Sequence, residues 1–211
     1  MNNNINRVQL CGTVHTAPTF SHENHAVPFY SFSLSIPRLS GVDDVLPILL
    51  PATLLEANPV AVGEMVSLEG QLRSFNNRSG EGHRLLLSVF THSLSLDGDV
   101  PFNQIQLSGV VCKTPTLRRT PLGREICDVL LAVNRRYGRA DYLPCIAWGA
   151  VAKQIAQYAV GERLTVEGRV QSRTYTKQTE WGAEEHTAYE VSIMRPHTRR
   201  VLPEEYWQAR G

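Results

Sequence analysis

The chain of 211 residues is long enough for one or two compact domains with a sizeable core. Its 42% hydrophobic and 19% charged residues are ordinary proportions for a soluble globular protein. It contains no run of about 18 apolar residues, which excludes a membrane span, and its N-terminus lacks the basic start and apolar core of a signal peptide. These features predict a cytoplasmic protein.

The net charge of +1 conceals a difference between the two halves of the chain. Residues 1–100 contain five Arg, no Lys and nine acidic residues, a net charge of −4. Residues 101–211 contain sixteen Lys and Arg against eleven acidic residues, a net charge of +5. Only the second half is therefore suited to an anionic partner.

The cysteines and histidines give no pattern that is typical of a metal or redox site. The four cysteines are widely spaced, none forms a CxxC pair, and each has apolar or β-forming neighbours, so we expect small buried hydrophobic side chains. They are Cys11, Cys112, Cys127 and Cys145. His22 and His25 lie in an apparent loop, where we expect solvated side chains rather than metal ligands. We expect neither a metal nor a cofactor.

The chain contains an internal repeat with an offset of 97 residues. Residues 6–14 match residues 103–111, residues 16–19 match residues 113–116, and two further segments match in the same register. These are residues 35–38 with 132–135, and residues 44–47 with 141–144. One residue later in register, residues 63–70 match residues 161–168. The repeat predicts two copies of one fold, joined near residues 97–101.

The second copy has the pattern of a small β-barrel. Alternating or apolar segments predict strands over residues 104–111, 126–133, 142–148, 164–172 and 189–194. Helical spacing of apolar residues predicts one short helix over residues 150–159, and residues 174–187 are polar enough for a long hairpin loop. This order fits the five-stranded oligonucleotide-binding (OB) barrel. We therefore predict an all-β chain of two tandem OB folds with one short helix in each repeat. Pro59 limits the helix of the first repeat to a degraded one.

Aromatic rings and guanidinium groups recur at the strand ends of the second copy. Residues 134–139 form a basic and aromatic cluster, and further rings and cations follow up to residue 175. Such a combination is suited to a flexible polyanion whose bases are exposed.

The second copy resembles the bacterial single-stranded DNA-binding protein family over nearly its whole length. The resemblance rests on an ordered set of short motifs, among them Ala132-Val133-Asn134-Arg135, Asp141-Tyr142, Trp148-Gly149, and residues 166–173. It implies four aromatic positions that stack on bases, and these fall on Tyr137, Tyr142, Trp148 and Tyr175. The phosphate contacts would come from Arg135, Arg136, Arg139, Lys153, Arg169, Arg173 and Lys177.

Two of the aromatic positions leave alternatives open. A ring on a strand is more often part of a core than of a binding surface, so Trp148 fits either role. Trp181, in the predicted hairpin loop, would extend the stacking surface or cap the hairpin.

The first copy departs from the family pattern. Val45 stands at the position of Tyr142, Pro51 or Leu50 at that of Trp148, and Asn77, with Phe75 nearby, at that of Tyr175. We therefore expect residues 1–98 to form a degenerate barrel used for structure or assembly, and residues 101–196 to form the DNA-binding barrel. A short tail follows over residues 197–211, without the linker and acidic tip by which family members recruit partners, so recruitment of that kind is not expected.

The function predicted from these features is sequence-independent binding of single-stranded DNA in replication, recombination or repair, by a nucleoid-associated protein. The resemblance also implies a homodimer, which would bring four barrels together. An enzyme is not expected, because the chain has no phosphate-binding GxxxxGK[ST] motif, metal triad or Cys/His pair. The alternative is an OB-fold module for protein interaction or assembly, primosome-like or serving a mobile element, with little DNA binding.

Overall fold

The structure, a computed structural model, describes residues 5–76, 85–135, 138–179 and 182–197. Within these ranges the first repeat forms β1 (Asn6–Val14), β2 (Thr19–Asn24), β3 (Val27–Pro37), β4 (Asp43–Pro51), α1 (Ala52–Ala57), β5 (Met65–Asn76) and β6 (Leu85–Ser95). The second forms β7 (Phe102–Val111), β8 (Thr116–Arg119), β9 (Glu125–Asn134), β10 (Ala140–Trp148), α2 (Gly149–Ile155), β11 (Arg163–Thr179) and β12 (Gly182–His197). No helix in these ranges is long and apolar enough to cross a bilayer.

The two repeats have the same topology and are related by an approximate two-fold axis. The strand order is β2-β3-β4-β6-β5-β1-β7-β11-β12-β10-β9-β8, in which the second half mirrors the first. Additional pairings of β3 with β1 and of β9 with β7 close each half into a barrel. The predicted all-β architecture of two tandem OB barrels is thus confirmed.

The two barrels are joined through their first strands. β1 pairs antiparallel with β7 in a ladder that runs from Asn6 opposite Leu107 to Cys11 opposite Phe102. This pairing makes one continuous sheet across both barrels and leaves neither β1 nor β7 as an exposed edge.

The repeated sequence pattern corresponds to side chains that fill the two cores. On β4, Leu46, Ile48 and Leu50 are fully buried. On the equivalent β10, Leu143 and the small side chains beside it occupy the same inward positions. Burial of one large aliphatic side chain contributes roughly 1.5–3 kcal/mol, so these alternating positions dominate the stability of each barrel.

Three local features differ from the sequence prediction. Each barrel has an additional short strand, β2 or β8, where only turns were expected. Most of the predicted loop over residues 174–187 belongs to β11 and β12, in which Tyr175 pairs with His186. Thr174, Tyr175 and Thr176 are strong β-formers, and their cross-strand partners outweigh the polar composition that favoured a loop. The α2 helix ends at Ile155, earlier than expected.

A buried ion pair in the second barrel reaches the first barrel. Arg135 forms two hydrogen bonds to Asp141, whose side chain is only 2% exposed. The same carboxylate accepts a hydrogen bond from the backbone N–H of Ser74 in β5, at 2.6 Å, and Arg135 donates to the Ser74 carbonyl at 2.9 Å. The ion pair thus connects the two barrels.

The equivalent ion pair in the first barrel makes the reciprocal contact. Arg38 pairs with Asp44, which accepts a hydrogen bond of 2.8 Å from the backbone N–H of Ser172 in β11. Arg38 also donates to the Ser172 carbonyl at 2.6 Å. Hydrogen bonding to Asp44 raises the pKa of Arg38. We refer to these six residues, Arg38, Asp44, Ser74, Arg135, Asp141 and Ser172, as the inter-barrel network.

Substitution of Asp141 by Ala should lower the free energy of unfolding by about 3–5 kcal/mol, because it leaves Arg135 buried without its counter-ion. Asp128→Ala is the matched control, since Asp128 pairs with Arg118 at 2.6 Å but both side chains are largely exposed. An exposed pair of this kind is worth up to about 1 kcal/mol. Urea unfolding followed by circular dichroism measures both values. Equal losses in the two variants would contradict a stabilising role of the inter-barrel network.

Candidate nucleic-acid interface

Two large aromatic side chains project from the outer face of β10. The residues of this strand alternate, with Leu143, Cys145 and Ala147 buried in the barrel. Tyr142 and Trp148 have the opposite orientation and are 49% and 41% exposed. They are separated by six residues, roughly 20 Å along a strand. The sequence left open whether Trp148 belongs to the core or to the surface, and its exposure places it at the surface.

The position of Trp148 depends on the junction between β10 and α2. Trp148 has extended backbone angles, and Gly149 follows with a φ of +56°. A glycine adopts this left-handed conformation without the steric cost of a Cβ atom. The chain therefore turns into α2 immediately after Trp148, which leaves the indole at the rim of the barrel.

The position of Tyr142 depends on the inter-barrel network. Its neighbour Asp141 is held in the interior by Arg135, so strand alternation directs Tyr142 outward. The backbone N–H of Tyr142 also donates to the Ser74 hydroxyl of the first barrel at 2.8 Å. Contact between the barrels thereby fixes the strand that carries this ring.

The outer face of β11 belongs to the same surface as that of β10. Ile146 of β10 pairs with Ser192 of β12, and Ser192 pairs with Arg169 of β11, so these three residues form one row across the sheet. Arg173 and Tyr175 have the same orientation as Arg169 because they alternate along β11. The predicted stacking residues Tyr142, Trp148 and Tyr175 therefore share one sheet face, although the row between them at Ile146 is buried.

Tyr175 is half-buried and packed against its neighbours. Its ring stacks on that of His186, with centroids 5.9 Å apart and an interplanar angle of 26°. The guanidinium of Arg173 lies 5.3 Å from the centre of the Tyr175 ring. These contacts hold the ring in one orientation at the end of the sheet.

Four of the predicted phosphate-binding residues have side chains that are exposed or half-buried. Lys153 of α2 is 63% exposed and 3.0 Å from Glu125, and Arg173 is 56% exposed and 3.8 Å from Glu190. Arg139 is exposed, whereas Arg169 is half-buried. Lys153 and Arg173 keep more than half of the side chain in solvent, so an incoming phosphate can contact them without displacing the less exposed glutamates.

Arg135 is placed differently from the other predicted cations. Its side chain is only 18% exposed and is engaged by Asp141 and Ser74. Exchange of Asp141 for a phosphate would leave a buried carboxylate without its partner, which is energetically costly. This geometry favours a structural role for Arg135 over the phosphate contact expected from the sequence.

Several predicted residues lie outside what the structure describes. Arg136, Tyr137 and Trp181 fall in the gaps between the described ranges. The backbone of Lys177 belongs to β11 and pairs with Glu184, but its side chain is also outside the described part.

The first barrel carries an aromatic cluster that sequence reasoning missed. His22 lies on β2 rather than in a loop, and its ring is stacked on Phe29 at 5.1 Å with an interplanar angle of 7°. Phe29 in turn contacts Phe90 at 5.6 Å, and the Arg73 guanidinium lies 4.0 Å from the centre of the Phe90 ring. Burial, followed by the charge of Arg135, lowers the pKa of Arg73. His22 and Phe29 are cross-strand partners in the β2–β3 hairpin, and Phe90 comes from the distant β6. The cluster was missed because β2 was not expected from the sequence.

An apolar cleft of about 680 Å³ separates this part of the first barrel from the second. The first barrel contributes residues of β2 to β6, including His22 and Phe75, and the second contributes Pro144, Arg173 and residues 187–190. No group of His, Cys, Asp and Glu in the described ranges is arranged to hold a metal ion. Cys11, Cys127 and Cys145 are buried, as their apolar neighbours predict, whereas Cys112 is only partly buried, and none of the four forms a disulfide.

Comparison with known proteins supports a relationship in both sequence and structure. Residues 102–197 match the sequence profile of the Single-strand binding protein family. The single-stranded DNA-binding protein B of Bacillus subtilis is 38% identical over 84 residues, which cover 36% of this chain and 74% of that protein. The single-stranded DNA-binding protein of Clostridium tetani is 35% identical over 80 residues, but the match spans only 55% of its length.

The fold of the entire chain is similar to that of a solved structure. The wild-type single-stranded DNA binding protein from Thermus aquaticus superposes with a TM-score of 0.73 at 21% sequence identity, and the alignment covers 99% of both chains. This likeness supports the two-barrel fold, while the sequence matches concentrate on the second repeat. On these grounds the chain belongs to the single-strand binding protein family.

Proposed function

We propose that this protein binds single-stranded DNA without sequence specificity, in replication, recombination or repair. The observation that carries the proposal is the exposure of Tyr142 and Trp148 on the outer face of β10 while the alternate residues are buried. A solvent-exposed indole and phenol on one strand face have no role in the core of the barrel. They offer two π-surfaces on which bases can stack.

The chemistry of this surface favours a single strand over a duplex. Bases in a duplex are already stacked on each other, whereas those of a single strand are free to lie on Tyr142, Trp148 and Tyr175. Every base presents a π-face, so affinity does not depend on sequence. Arg139, Lys153, Arg169 and Arg173 are placed to neutralise phosphates, which makes binding dependent on salt.

Family membership supports binding rather than catalysis. Members of the single-strand binding protein family are non-enzymatic DNA-binding proteins, in agreement with the sequence prediction. The relatives from Bacillus subtilis and Clostridium tetani are named for single-stranded DNA binding. A protein of this function would act in the cytoplasm on DNA of the nucleoid.

We assign the two barrels different shares of this function. The second barrel, within residues 101–196, carries Tyr142, Trp148 and most of the basic residues. The first, within residues 1–98, has Val45 and Pro51 at the positions of Tyr142 and Trp148 and a net negative charge over residues 1–100. It serves chiefly as a structural and assembly unit.

Replacement of both Tyr142 and Trp148 by Ala should weaken binding of an oligothymidylate by several kcal/mol, at roughly 1–3 kcal/mol for each lost stack. The double Phe variant is the matched control: it retains both rings and should retain most of the affinity. Fluorescence anisotropy with a labelled oligonucleotide at low salt measures all three proteins.

Both side chains are exposed, so neither variant should unfold the barrel, and circular dichroism verifies this. If the double Ala variant binds as tightly as the unmodified protein, the stacking surface is misplaced. That result would favour the alternative of an interaction or assembly module.

We also propose that two chains form a homodimer with four barrels, as the resemblance to the family implies. Light scattering at micromolar concentration should then give twice the chain mass of 23.6 kDa. A mass equal to that of one chain would refute the dimer without affecting the proposal of DNA binding.

A further inference from the structure

The cleft between the barrels is not explained by the stacking surface on β10. Its volume of about 680 Å³ lies in the usual range for sites that bind a small organic molecule. Leu49 and Leu86 of the first barrel and Pro144 of the second provide apolar wall. Arg173, which the sequence predicts to contact DNA, also lines the cleft.

One wall of the cleft presents an aromatic ring with a fixed orientation. The imidazole of His22 is parallel to the Phe29 ring, and its Nδ1 lies 3.0 Å from the Ser21 hydroxyl. Phe29 is buried, so it supports the imidazole from one side. His22 is exposed and lines the cleft, which makes it a preformed surface for another planar group.

A second ring comes from the end of β5. Phe75 lines the cleft and is 37% exposed, and the Arg135 guanidinium lies 5.5 Å from the centre of its ring. It directly follows Ser74, just as Arg173 follows Ser172, so Phe75 and Arg173 occupy equivalent positions in the two repeats. The approximate two-fold axis thus brings a ring from one barrel and a guanidinium from the other to the same cleft.

The cleft is continuous with the stacking surface. Arg173 lines the cleft, and its guanidinium lies 5.3 Å from the centre of the Tyr175 ring. A strand that leaves Tyr175 therefore meets a cation at the edge of the cleft. Glu190 also lines the cleft, but Arg173 lies 3.8 Å from its carboxylate and Gln171 donates a hydrogen bond to it at 2.6 Å.

From this arrangement we propose that the cleft binds a nucleobase of the same single strand that stacks on the second barrel. His22 and Phe75 provide the rings that contact the base. The hydroxyls of Ser21, Ser31 and Thr187 lie along the walls, where they can pair with the polar edge of a base. The inference rests on the proposed function and adds a binding site on the first barrel.

Oligothymidylates of two lengths test this site in the full-length protein. One should be close to the 4–16 nucleotides or so that a single OB barrel covers, and the other about twice as long. The variants are His22→Ala and Phe75→Ala, with Phe20→Ala as matched control, since Phe20 is a ring of β2 that is 61% exposed and does not line the cleft. His22 is exposed, so its removal leaves the core intact.

Each cleft variant should lose about tenfold in affinity for the long oligonucleotide, the equivalent of one lost stack. Neither should change affinity for the short one by more than about twofold, and Phe20→Ala should change neither. An oligonucleotide that carries 5-iodouracil should also form a photo-crosslink with a peptide that contains His22 or Phe75.

Three results would overturn the proposal, and they are distinguishable. Unchanged affinity of both variants for the long oligonucleotide, with crosslinks confined to the second barrel, would refute the cleft site alone. If a cleft variant keeps its affinity for both oligonucleotides but has a lower mass than the unmodified protein by light scattering, a second copy of the chain occupies the cleft. Failure of the unmodified protein to bind either oligonucleotide would refute the proposed function together with the site.

Discussion

The antiparallel pairing of β1 with β7 is the interaction on which the rest of the structure depends. It turns two barrels into one sheet with an approximate two-fold axis, so that each barrel meets the other with equivalent residues. The inter-barrel network is the consequence, because each buried Arg–Asp pair receives a serine from the opposite repeat. Removal of either barrel would leave a ladder unpaired and would deprive the ion pair of the remaining barrel of its serine partner.

Both repeats contribute equivalent buried ion pairs to the contact between the barrels, but their outer surfaces differ. Arg38 with Asp44 repeats Arg135 with Asp141, down to the same exposed fractions of 18% and 2%. On the outer face, by contrast, Tyr142 is matched by Val45 and Arg173 by Phe75. A common frame thus carries two different surfaces, one basic and aromatic, the other mostly apolar. The cleft lies where these two surfaces meet.

Much of the fold could be predicted because the repeat preserves what a barrel requires. Inward positions recur at a fixed offset, and so do the glycines at close approaches, as at Gly168, where a Cβ atom would lie 2.1 Å from the Ser192 carbonyl oxygen. The functional site was harder to predict from the sequence than the fold. Strand alternation places Tyr142 and Trp148 on one face, but the sequence left the role of Trp148 open, and the burial of Arg135 depends on Asp141 and on a serine of the other repeat. The same spacing of six residues between Arg and Asp occurs in both copies, and it could have indicated a repeated ion pair. The aromatic cluster around His22 could not be predicted in this way, because β2 was not expected from the sequence.

The most direct test of single-strand binding uses the fluorescence of Trp148. Substitution of Phe for Trp181 and Trp207 leaves Trp148 as the one tryptophan of the chain, which contains three. Titration with an oligothymidylate should quench its emission, because a base stacks on the indole, and the midpoint should move to higher concentration between about 50 and 200 mM salt. Unchanged emission at low salt, from a protein that is folded by circular dichroism, would contradict the proposed function.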